Sequence, residues 1–111
     1  ELLEKLKLRS RGEFMDDQLQ EFRLELNDID RNLIELLKKR MDISEQIGTH
    51  KKDLNMVIFQ KSIWEKAFMD NVKNSLDVNL SEDFASQLFK LIHQESIVKQ
   101  SKIFSKPDEE D

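Results

Sequence analysis

Arg40 and Lys51 stand in the wrong place for cations. On a helix of 3.6 residues per turn, Leu33, Leu36, Leu37, Ile43 and Ile47 line one face, and both cations fall in the middle of it. Arg23 lies toward the edge of the same stripe. A buried cation without a partner is costly. The nearest acid at the stripe edge, Asp30, is ten residues from Arg40, about 15 Å along a helix, too far to neutralise it. Long stems can carry a charged head out to water, which suffices for a lone Lys. Two central cations and a third at the edge are better explained by a bound anion with more than one carboxylate or phosphate.

Further along, Ser96 and Gln100 are four residues apart and share a helical face, flanked by Phe89, Ile92 and Ile103. Such a pair can hydrogen-bond a ligand without adding charge; the alternative is a structural bond between helices. His93 is read as a surface or interface residue turned further outward. The chain has no Cys, and no Ser–His–acid arrangement is apparent. The charged members of the candidate site are cations. This suits a reaction that needs shape and charge stabilisation, with no covalent or acid–base step.

Helices must position these residues. Charged residues are 37% of the 111-residue chain and hydrophobic ones 38%, with two Gly and one Pro, a composition that favours long amphipathic helices over tight-turned sheets. The net charge of −5 argues against a nucleic-acid partner. Absence of Cys excludes a disulfide framework and thiolate metal sites, and two isolated His make a weak case for any metal. No apolar run approaches the roughly 20 residues of a membrane span, so a soluble, cytoplasmic protein is expected. The chain starts at Glu1 rather than Met, consistent with a piece of a longer protein.

Residues 1–16 read as a leader or linker, broken at Gly12. Asp17 and Gln20 have capping-box spacing. A helix is predicted over about 17–52, with Gly48 inside it as a close-packing point. "DLNM" is a turn, and a second helix is predicted over about 57–75, with Ile63, Trp64, Ala67 and Phe68 on one face beside Gln60. Ser81 caps a third helix that runs to about 104, with Glu82 and Asp83 at its positive end. That helix is expected to bury Phe84, Leu88, Leu91, Ile92 and Ile103. Residues 105–111 form an acidic tail, expected to be disordered.

The first helix would span about 54 Å, whereas a domain of this size is about 35 Å across. Two shorter helices cannot cover its stripe. The expected fold is therefore all-α, three helices per chain in an intertwined homodimeric bundle. A plain antiparallel coiled coil is the simpler alternative.

The pattern of Arg23, "IDRNLIELLKKRMDISEQIGTHKK", "NMVIFQ", Trp64 and "LFKLIHQESIVKQ" resembles the all-α chorismate mutases over about residues 19–104. "NMVIFQKSIW" looks closest to the branch fused behind a 3-deoxy-heptulosonate 7-phosphate synthase, and the leader is compatible with such a linker. The resemblance implies rearrangement of the dicarboxylate chorismate to prephenate, without a cofactor, in a dimer whose long first helices cross. It implies that Arg40 binds one carboxylate and that Arg23 reaches the other from the partner chain. Lys51 and Gln100 would donate to the ether oxygen, Ser96 would help hold a carboxylate, and Gln60 would face the hydroxyl. One position departs: where the family has Arg just before the aromatic residue, this chain has Ile63, which removes a charge from the hydroxyl end and bears on turnover more than on fold.

Three other readings compete. An isochorismate pyruvate-lyase uses a similar cationic pocket and is separated by substrate. A weakly active dimeric module regulating a fused synthase fits Ile63 and the leader. A structural coiled coil predicts no affinity for a dicarboxylate.

Overall fold

The computed structural model describes residues 2–107, with side chains from Asp16 onward. Three helices follow in order: α1 (Leu2–Asp53), α2 (Lys61–Asp77) and α3 (Glu82–Ser105). There is no strand among the described residues, and no described helix is long and apolar enough to cross a membrane. The first helix departs from expectation at its start. Gly12 and Asp17 lie inside α1 rather than before it. The Leu, Lys, Glu and Arg that dominate the first nine residues are strong helix formers, and one Gly costs only about 1 kcal/mol against them. The end of the acidic tail, from residue 108, lies outside the described residues.

The chain divides into two units, at Lys38. The first consists of the N-terminal part of α1. Its expected core positions Leu19, Phe22, Leu26, Ile29, Leu33 and Leu36 are all 45–62% exposed. A single helix has no means of burying its own stripe, so burial here requires another surface.

The second unit holds the C-terminal part of α1 with α2 and α3. The connection from α1 to α2 contains Asn55 at φ 56°, and the one from α2 to α3 contains Asn79 at φ 66°. Both are left-handed positions that Asn tolerates better than most residues. α2 begins at Lys61, four residues later than predicted, because the Ile58 carbonyl accepts a hydrogen bond from Lys51 Nζ (2.6 Å) and the segment around it is not helical. At α3 the expected cap is present: Ser81 Oγ accepts from the Phe84 amide at 3.2 Å.

The inner stripe of α3 is more polar than predicted. Ala85, Ile92, His93, Ser96 and Gln100 are buried, Leu88 and Ile103 half-buried, and Phe84 and Leu91 exposed. Phe84 and Leu91 are seven apart and lie on the opposite side of the helix from Ser96 and Gln100. The register is set by close approach to α1.

Gly48 creates that approach. A Cβ built on it would stand 3.0 Å from Gln100 Cα, a contact so tight that the facing backbone must give way by a few tenths of an ångström. Gly48→Ala gains up to about 1 kcal/mol in helix propensity, but separating the two helices costs about 1–3 kcal/mol. A net loss near 1 kcal/mol should lower Tm by about 4–8 °C. Thermal unfolding checks this; an unchanged or higher Tm would rule out a tight contact.

Candidate functional site

Within the second unit, the three helices line a partly open cavity of about 510 Å³, the size of a small-molecule site. α1 contributes Arg40, Ser44 and Lys51, with Ile43 and Ile47 as apolar wall; α3 contributes His93, Ser96 and Gln100. The α1–α2 connection adds Ile58 and Gln60, and α2 adds Ile63 and Trp64. Six of the seven site residues read from the sequence are thus brought together. Arg23, the seventh, is an exposed side chain of α1 in the first unit.

None of the lining residues is acidic. Arg40 and Lys51 give the cavity two positive charges that no lining carboxylate offsets. Burial lowers the pKa of both from their ordinary values, yet the guanidinium stays charged under any protein condition. Sites of this kind attract anions, and the low local dielectric strengthens the attraction.

Lys51 is held at both ends of its task. Its Nζ donates to the Ile58 carbonyl at 2.6 Å and to Gln100 Oε1 at 3.1 Å, which fixes the ammonium between the connection and α3. Because Gln100 uses its carbonyl oxygen on Lys51, its amide nitrogen is the donor it has for a ligand. Two preorganised donors, an ammonium and an amide, therefore sit side by side. Ser96 Oγ is in a short hydrogen bond with Ser44 Oγ. Two hydroxyls sharing one bond leave one hydrogen to donate elsewhere.

Gln60 precedes α2 as its N-cap without a side-chain cap bond, so its amide is not committed to the helix terminus. Ile63 is 64% exposed and forms part of the rim, where it supplies no charge. Trp64 forms an aromatic wall, stacked on Phe68 with centroids 5.4 Å apart and meeting the His93 ring edge-on at 5.8 Å.

Two residues escaped the sequence reading. Ser44 is four residues after Arg40 and seven before Lys51, so its spacing already placed it among the cations. His93, read as outward-facing, is buried. It is three residues from Ser96 and seven from Gln100, a spacing that puts it on their face; the correction follows from α3 turning that face toward α1. Among the described residues no group of three or more His, Cys, Asp or Glu could hold a metal ion.

Three helices around a cavity lined by two cations and no acid define an all-α protein with a positively charged pocket. Residues 22–101 match the family described as chorismate mutase type II, and the chain belongs to that family. Two curated relatives are bifunctional chorismate mutase/prephenate dehydratases of Buchnera aphidicola. One, from the subspecies of Schizaphis graminum, is 32% identical over 94 residues, covering 81% of this chain and 23% of the relative. The other, from that of Acyrthosiphon pisum, is 31% identical over 85 residues, covering 77% and 22%. The chain thus spans less than a quarter of the length of these relatives, and both are joined to a dehydratase rather than to the synthase expected from "NMVIFQKSIW". No solved structure matches the chain.

Proposed function

We propose that this chain converts chorismate to prephenate, a unimolecular rearrangement of a dicarboxylate. The observation that carries the reading is the pairing of Arg40 and Lys51 in one cavity with no lining acid. Arg40 takes one carboxylate, assisted by the free hydrogen of the Ser44–Ser96 pair. Lys51 and the Gln100 amide donate to the ether oxygen, where negative charge grows as the C–O bond breaks. Gln60 faces the hydroxyl end. Holding the substrate in its reactive chair removes entropy in advance, and fixed donors at the developing charge add electrostatic stabilisation. No covalent step and no cofactor is required.

The second carboxylate is assigned to Arg23 of a second copy. The uncovered apolar stripe from Leu19 to Leu36 supports an intertwined homodimer, because a second α1 offers the same stripe in return. The functional domain is taken as residues 17–104, with 1–16 as linker and 105–111 as tail. The relatives support a link to a dehydratase; a link to a heptulosonate-phosphate synthase rests only on the "NMVIFQKSIW" run and the leader, and the full reading frame distinguishes the two.

The test is prephenate formation from chorismate by the isolated chain, with isochorismate as the parallel substrate. Prephenate from the first and no pyruvate from the second is expected. Ile63→Arg restores a cation to the rim and is expected to raise kcat/KM. If it leaves kcat/KM unchanged or lower, the cavity works without that charge and the reading of Ile63 as a deficit is wrong.

A further inference from the structure

His93 is the one described residue whose buried polar atom lacks a hydrogen-bond partner: its Nε2 is enclosed and unpaired. Its side chain belongs to a residue only 9% exposed, and it lines the cavity beside Ser96 and Gln100. A buried polar atom left unpaired is destabilising. Because its residue lines the cavity, an occupant of the cavity is the partner within reach to complete the bond.

We propose that His93 is a ligand-contacting residue of this cavity, its Nε2–H donating to a carboxylate of the bound dianion and its imidazole taking up a proton as that dianion enters. This rests on the proposed dicarboxylate site and adds a group to it. The donor direction follows from the surroundings: an anion drawn by Arg40 and Lys51 presents acceptors only. The proton uptake follows from the charges that face the ring. From α1 the Arg40 charge acts on the ring and Lys51 lines the same cavity; the cavity-lining residues of the connection and α2 carry no titratable group, and α3 contributes only His93 itself.

In the empty cavity, burial first and the Arg40 charge second hold the imidazole below its ordinary pKa, so it is neutral at pH 7. Two carboxylates offset the cationic charge that disfavours a protonated ring, which shifts the balance toward imidazolium. His93 then adds a positive charge to the cavity only when the cavity is filled. That charge lies in the same cavity where Ile63 supplies none.

The experiment is calorimetric titration with a bicyclic ether dicarboxylate that mimics the rearrangement's transition state. It is run in two buffers of different ionisation enthalpy, on the wild type, His93→Gln and His93→Leu. Wild type is expected to take up a proton on binding and to bind more tightly as pH falls toward 6. His93→Gln keeps a donor near the Nε2 position; it is expected to bind within a few-fold of wild type with no proton uptake. His93→Leu loses the donor and should bind about 10-fold or more weakly, while its Tm rises because an unpaired buried atom is gone. A merely structural histidine predicts the opposite stability change. Tight wild-type binding with no proton uptake, or unaltered affinity in His93→Leu, overturns the assignment of His93 alone. Failure of the wild type to bind the dicarboxylate overturns the dicarboxylate site and this inference together.

Discussion

Lys51→Ala is expected to lower kcat by about 10²- to 10³-fold. That is the usual cost of removing one donor aimed at a developing oxyanion. The ammonium is fixed before any ligand arrives, by Ile58 O at 2.6 Å and Gln100 Oε1 at 3.1 Å, so no reorganisation is needed as charge builds on the ether oxygen. An interaction that strengthens only in the transition state affects kcat more than KM. The loss should therefore fall on kcat, with KM for chorismate changed by much less. Helix content by circular dichroism should be unchanged, since Lys51 lies in the last turn of α1. The same substitution frees Gln100 Oε1, and a modest fall in Tm is expected from the lost tie to the Ile58 carbonyl. A variant that keeps more than half the wild-type kcat would remove Lys51 from the proposed chemistry and leave it as a brace for the α1–α2 connection.

Refolding a mixture of two dead variants is expected to restore about a quarter of wild-type activity. Under the proposed dimer, each site takes Arg23 from one chain and Lys51 from the other. Arg23→Ala and Lys51→Ala homodimers then carry one lesion in every site and should both be nearly inactive. Unfolding and refolding an equal mixture pairs chains at random, so about half of the dimers are heterodimers. In each heterodimer one site collects both lesions and the other none. Half of the dimers with one of two sites intact is the quarter expected. If Arg23 serves the Lys51 of its own chain, every site keeps a lesion and the mixture stays inactive. Heterodimers confirmed by mass spectrometry in a mixture as inactive as its parents would reject the shared site. The uncovered stripe from Leu19 to Leu36 would then need a partner other than a site-sharing copy of the chain.

The residues that bear charge were legible before the fold. Arg40 and Lys51 announced themselves by breaking an apolar period of three and four, a signal that depends only on helical geometry. Gln100 and Ser96 followed from a four-residue spacing, the Ser81 cap from its place before two acids, and the Gly48 contact from a Gly retained inside a helix. Helix existence is local in this way, since periodicity and capping are written within a turn or two. The helix starts were less legible. α1 extends through Gly12 because one unfavourable residue is outweighed by strong formers on both sides, and α2 starts late because Lys51, at the end of α1, holds the Ile58 carbonyl in a non-helical segment.

Burial and protonation belong to another order of cause. The sequence placed Phe84 and Leu91 in the core and His93 outside it; the fold exposes the first two and encloses the third. Each residue's face on α3 is determined by its number, but which face turns inward depends on where α1 allows close approach, and that is at Gly48 against Gln100. Ser44, His93, Ser96 and Gln100 are the polar residues buried on that side. The lowered pKa of His93 needs both enclosure and Arg40 brought near from another helix. Sequence by itself determined the helices, the cations and their spacing, because these are properties of a chain read one turn at a time. Tertiary structure alone decided which side chains lose water and which charges meet, because desolvation and Coulomb energy depend on distances between elements far apart in sequence.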